Sequence, residues 1–111
     1  MTDARATLDA YATATDAHDL VGTVRLVHDE AVYWFSDATS YVGVDAIEAA
    51  LVSNFSAISD EQYVIDHHRW VVETDDAAVC LYRWSWHGLI NGVPSKGTGR
   101  GTTVLARQAS G

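Results

Sequence analysis

The chain has 111 residues, with 7 Lys and Arg against 15 Asp and Glu, for a formal net charge of −8 with His neutral. At 48% hydrophobic and 20% charged, the composition is globular and excludes a disordered acidic tail; one domain of this length buries roughly 65% of its unfolded surface, enough for a core without disulfides or a structural metal. Seven scattered cations cannot form the basic stripe that a nucleic-acid backbone needs, and the same balance opposes an anionic membrane surface.

Leu8, Tyr11, Ala12 and Thr15 recur at helical spacing and predict an amphipathic helix over residues 3–17. Asp19 offers the N-cap of a second, shorter helix with Leu20, Val24 and Val27 on its buried stripe. His18 and His28 read as exposed helix-end residues. Residues 31–35, Ala-Val-Tyr-Trp-Phe, are β-branched and aromatic and predict a first strand, ended by the polar turn 36–40. Asp45, with Glu48 three residues on, makes a capping-box pattern for a third helix that buries Ile47, Leu51 and Phe55 and ends near residue 57.

From Tyr63 the period changes to that of strands. Residues 63–73 and 77–89 predict two long strands joined by Thr74-Asp75-Asp76. Asn91-Gly92 is a hairpin signal, and a third strand follows over about residues 99–107. Helices grouped against an antiparallel sheet make an α+β fold. No apolar run approaches the roughly 18 residues of a transmembrane helix, and residues 1–5 lack a signal-peptide pattern. The single Cys80 permits no intrachain disulfide and fits a reducing compartment, the cytoplasm.

Tyr11, His18-Asp19-Leu20, residues 28–33 (His-Asp-Glu-Ala-Val-Tyr) and residues 43–47 (Gly-Val-Asp-Ala-Ile) follow one another in an order that resembles the SnoaL-like, ketosteroid-isomerase-like proteins of the nuclear transport factor 2-like superfamily. The second half agrees, with Trp86-His87-Gly88, Asn91-Gly92 and residues 99–104 (Gly-Arg-Gly-Thr-Thr-Val). The resemblance implies a cone-shaped, curved antiparallel sheet wrapped around a long N-terminal helix, three helices in all, and a conical pocket between helix and sheet. It also implies homodimers paired through the outer face of the sheet. Relatives include isomerases, dehydratases and cyclases that work without a cofactor, and binding or assembly domains without chemistry, so it predicts a pocket and not a reaction. Members continue past the position of residues 109–111 into a last strand. Either this chain lacks an inner strand, leaving an open edge and a wider mouth, or a tail follows.

Alternation over residues 77–89 places Cys80, Tyr82, Trp84 and Trp86 on one face, which the resemblance turns toward the cone. Cys80 and Tyr82 read first as filling the core behind the helix, whereas Trp84 and Trp86, nearer the open end, fit a ligand-lining role. Tyr33, Phe35 and Asp37 share a face of the first strand. The resemblance sets a proton-abstracting carboxylate at the position of Phe35, so the carboxylate is replaced there and Asp37 is the nearest substitute; a solvated turn residue is its bland reading. Tyr11 matches a tyrosine that donates to an oxyanion, and Thr102 falls near the second donor's position. Adjacent strand residues point apart, so His67 and His68 cannot share a metal; His68, with the parity of Trp70 and Val72, is the candidate acid/base, and no metal or cofactor site is expected. Trp34 completes the candidate wall, although simple alternation turns it outward. The glycines of residues 97–101 lack the strand-then-helix setting of a phosphate loop and read as permitting a bulge and tight curvature. The expected ligand is a small, largely apolar organic molecule, handled by acid/base chemistry or simply bound.

Overall fold

The computed structural model describes residues 3–35 and 38–108. Its elements are α1 Ala4–Asp16, α2 Leu20–Val24, β1 Val32–Trp34, β2 Ser40–Val42, α3 Val44–Ala57, β3 Ser59–Glu73, β4 Ala77–Ile90 and β5 Val93–Ala106. β1 and β2 form an antiparallel ribbon, and β3, β4 and β5 form an antiparallel sheet in that order. Among the described residues no helix is long and apolar enough to cross a membrane.

The helices start where local chemistry satisfies their first amides. Asp3 Oδ1 accepts from Ala6 N at 2.7 Å, and Asp19 Oδ1 accepts from Gly22 N at 3.0 Å. The third helix departs from the capping-box expectation. Gly43, at φ 87°, is its N-cap and makes no side-chain bond, so the helix begins at Val44 and Asp45 lies in its first turn. Glycine adopts that backbone without strain, and the chain turns directly from β2 into the helix. Leu8, Ile47, Leu51, Ala78 and Cys80 are the buried centre, and Thr23, also fully buried, donates its hydroxyl to Asp19 O at 2.8 Å.

The strands differ in regularity. β4 and β5 pair without a break from Ala77↔Ala106 to Ile90↔Val93, so the third long strand starts directly after Asn91-Gly92. β3 instead shifts register three times against β4, between Ser59 and Gln62, Asp66 and Arg69, and Trp70 and Val72. Asp60 and His67 take positive φ inside the first two shifts. Each bulge adds twist and bends the strand. Curvature therefore resides in β3, and the glycines of β5 sit in a straight register.

Those glycines have another job. Gly97, Gly99 and Gly101 lie directly opposite Trp86, Trp84 and Tyr82. A Cβ at Gly99 would stand 2.5 Å from the Trp84 ring, and one at Gly101 2.6 Å from the Tyr82 ring. The aromatic rings of β4 thus lie across bare backbone of β5.

α1 spans the inner side of this sheet and is fastened at both ends to β3. Arg5 binds Glu73 through two nitrogens, each at 2.8 Å, and its guanidinium lies 5.3 Å from the Trp70 ring centroid. At the other end Asp16 Oδ1 accepts from Tyr63 N at 2.7 Å. The packing beneath α3 should be as consequential as this clamp: Ile47, 0% exposed, when replaced by Ala should cost about 2–5 kcal/mol in urea unfolding, because a cavity opens with no route for collapse.

Candidate functional site

The inner surface is built from rings. β4 contributes Tyr82, Trp84 and Trp86, β3 contributes Tyr63 and Trp70, α1 contributes Tyr11, and β1 with the residue after it contributes Tyr33 and Phe35. All are half-buried and none is sealed, in contrast to Cys80 beside them. Tyr33 Oη donates to Tyr11 Oη at 2.6 Å, and Tyr82 Oη is 2.8 Å from Thr103 Oγ1. Phe35 meets Tyr33 edge-on, with centroids 5.8 Å apart, and lies 5.3 Å from Tyr41.

Burial, first of all, pushes the Tyr11 phenol far above its ordinary value, and the neighbouring Tyr33, Tyr63 and Tyr82 push in the same direction. Burial likewise raises Tyr33 and Tyr63, and Tyr82 adds to both. Three phenols, Tyr11, Tyr33 and Tyr63, thus share one electrostatic environment and keep their protons, so they are hydrogen-bond donors. Burial also raises the Cys80 thiol, which disfavours a nucleophilic thiolate.

The carboxylates on this side are already engaged. Glu73 holds Arg5. Glu61, 9% exposed, lies 2.6 Å from His18 Nε2, and the His18 ring stacks on Phe55 at 4.4 Å. His18 is therefore not an exposed helix-end residue; its positive φ turns the chain at the end of α1 and brings the imidazole down onto α3 and β3. Helix-end spacing alone carried no sign of this pair, because Glu61 belongs to a bulged stretch that begins the strand earlier than Tyr63. His28 Nδ1 accepts from Glu30 N at 3.0 Å.

The candidate residues separate into those brought together and those kept apart. Tyr11, Phe35, Trp70, Tyr82, Trp84 and Trp86 face the same interior, with Trp70 paired to Cys80 under Arg5. Trp34 is 82% exposed and points away from Tyr33 and Phe35, which removes it from the wall; alternation along β1 is the cause. Asp37 lies outside the described residues. The bulge between Asp66 and Arg69 puts both His67 and His68 opposite Tyr82. His67 bonds Asp66 at 2.8 Å, and the His68 ring lies 6.4 Å from that of Tyr82 while remaining exposed. A further shift after Trp70 turns Val72 outward, so Val72 does not share the inner face. Thr102 faces outward and Thr103 carries the inner hydroxyl, one residue from the expected donor. Among the described residues no group of three or more His, Cys, Asp or Glu side chains is placed to hold a metal ion.

The raised phenols give a pH dependence of definite sign. Above the ordinary value of 10.0 the folded chain holds protons that the unfolded chain has released. Stability is fully present below that pH and is lost as pH climbs toward the folded values. Urea midpoints should fall steadily above about pH 10. Tyr11→Phe should flatten this slope and cost about 1–2 kcal/mol at neutral pH, since the Tyr33 hydroxyl loses its acceptor.

Comparison with known proteins agrees with this architecture. A family model described as the SnoaL-like domain matches residues 8–110. No curated protein matches the chain. Among solved structures, a nuclear transport factor 2-like superfamily protein from Salmonella enterica serovar Typhimurium aligns with TM-score 0.81 at 19% identity, covering 93% of this chain and 76% of that one. A ketosteroid isomerase-like protein from Erwinia carotovora atroseptica aligns with TM-score 0.75 at 22% identity, covering 96% and 83%. A nuclear transport factor 2-like protein with a cystatin-like fold from Novosphingobium aromaticivorans aligns with TM-score 0.79 at 16% identity, covering 98% and 73%. At these identities the structures speak to fold, whereas the family model spans nearly the whole chain, and the chain belongs to the SnoaL-like domain family.

Proposed function

We propose that the hollow between α1 and the inner face of the sheet binds a small, largely apolar organic molecule carrying an oxygen acceptor such as a carbonyl. The observation that carries this reading is the phenol cluster: Tyr11, Tyr33 and Tyr63 are held protonated, with the Tyr82 hydroxyl beside Thr103, among rings that all retain some exposure. Indoles and phenyl rings supply the apolar contact, and phenols supply donors that fix orientation. Chemistry in such a site is cofactor-independent acid/base work of the isomerase, dehydratase or cyclase kind. Tyr11 donates to developing negative charge, and the proton carrier is His68, which lies beside Tyr82 and exchanges with solvent, or Asp37.

A second reading, a ligand-binding or assembly domain without chemistry, is favoured by one observation: the inner carboxylates Glu61 and Glu73 are already taken by His18 and Arg5. Pairing with a second copy belongs to either reading. The outer face exposes Val72, Leu81 and Val104, a patch suited to burial against itself, and the reduced Cys80 suits a cytoplasmic protein.

The two readings are separated by calorimetric titration with 2-acetylnaphthalene and its deoxygenated analogue 2-ethylnaphthalene. The ketone should bind at least about tenfold more tightly, and Tyr11→Phe or Tyr82→Phe should erase that preference, as expected for one lost hydrogen bond. Equal affinity for both compounds would overturn the donor role, and turnover that survives His68→Gln and Asp37→Asn would remove both proton carriers. Sedimentation velocity should show a dimer that Leu81→Lys dissociates.

A further inference from the structure

We propose that the chain carries a second ligand site, on the opposite face of the sheet at the β4–β5 hairpin end, which takes a small organic carboxylate. Two adjoining cavities open there. One, of about 470 Å³, lies over Val64, Ser85 and Lys96; the other, of about 580 Å³, lies over Asp60, Leu89 and Pro94. Both are lined by His87 and Lys96, which pair directly across β4 and β5, so the two cavities form one trough that straddles this pair.

The concavity follows from the backbone. The first bulge of β3 sets two residues, Asp60 and Glu61, against Gly88 alone. The absent side chain at Gly88 lets Ser59 O come within 2.9 Å of where a Cβ would stand. β3 therefore bends at this point and leaves a depression on the outer side.

Charge makes the trough selective. Lys96 is the only lysine of a chain with 15 Asp and Glu, yet among the described residues no carboxylate pairs with it. Of the acids near this face, Asp66 is occupied by His67 and Arg83, and Asp60, which lines the Leu89 end of the trough, forms no ion pair with Lys96. Four of the seven cations, Arg69, Arg83, Lys96 and Arg100, share this outer face. Lys96 offers an ammonium, with His87 and the Gln62 amide as further donors, while Val64, Leu89 and Pro94 supply an apolar floor. That combination suits a carboxylate attached to a flat apolar body. A bare inorganic anion would leave the floor uncovered, and a neutral amide would leave the ammonium unpaired. The trough lies at the far end of the outer face from Val72, Leu81 and Val104, so pairing of two copies through those residues leaves it open.

The test is an amide ¹H–¹⁵N titration of the full chain with 1-naphthoate, 1-naphthamide and inorganic phosphate. Naphthoate should shift the amides of His87, Lys96, Gly97 and Thr98 saturably, and naphthamide and phosphate should each bind at least tenfold more weakly. Lys96→Gln should lower naphthoate affinity at least tenfold with the remaining spectrum unchanged, and Lys96→Arg should retain it. The proposal is overturned if naphthamide or phosphate matches naphthoate, if Lys96→Gln binds normally, or if the shifts fall on Tyr11 and Tyr82, which would assign naphthoate to the inner hollow.

Discussion

The double attachment of α1 to β3 governs the rest of the molecule. Arg5 and His18 are separated by about 20 Å of helix at 1.5 Å per residue, whereas Glu61 and Glu73, which they bind, are separated by about 40 Å of extended strand. A straight strand cannot meet both ends of so short a rod. β3 bows instead, through three bulges, so the curvature of the sheet is a consequence of unequal lengths joined at two points.

The character of the inner face follows from which groups those attachments consume. Glu61 and Glu73 are each committed to holding the N-terminal segment in place. What remains facing inward is indole, phenyl, phenol and the hydroxyl of Thr103. Desolvation then acts on the phenols in one direction only, keeping their protons on.

Much of this was legible in the amino-acid sequence, and the illegible parts share a cause. β4 is regular, so period-2 alternation alone places Cys80, Tyr82, Trp84 and Trp86 together. β3 is bulged, and each bulge resets parity, so the same rule misplaces Val72 and misreads the surroundings of His67. Bulges that depend on positive φ at Asp60 and His67 have no signature in those residue types. The three-residue strand β2 was too short for periodicity to register, and the His18–Glu61 pair joins residues from distant elements, which spacing cannot reveal. Thr103 was missed by one residue because the match to relatives fixed the neighbourhood and not the register.

The stripe formed by Gly97, Gly99 and Gly101 has a consequence for which substitutions β5 accepts. The rings of Trp86, Trp84 and Tyr82 recline over those positions. An added methyl group on the neighbouring strand would push a ring upright. The posture of three aromatic side chains is thus set by three residues that have no side chain of their own.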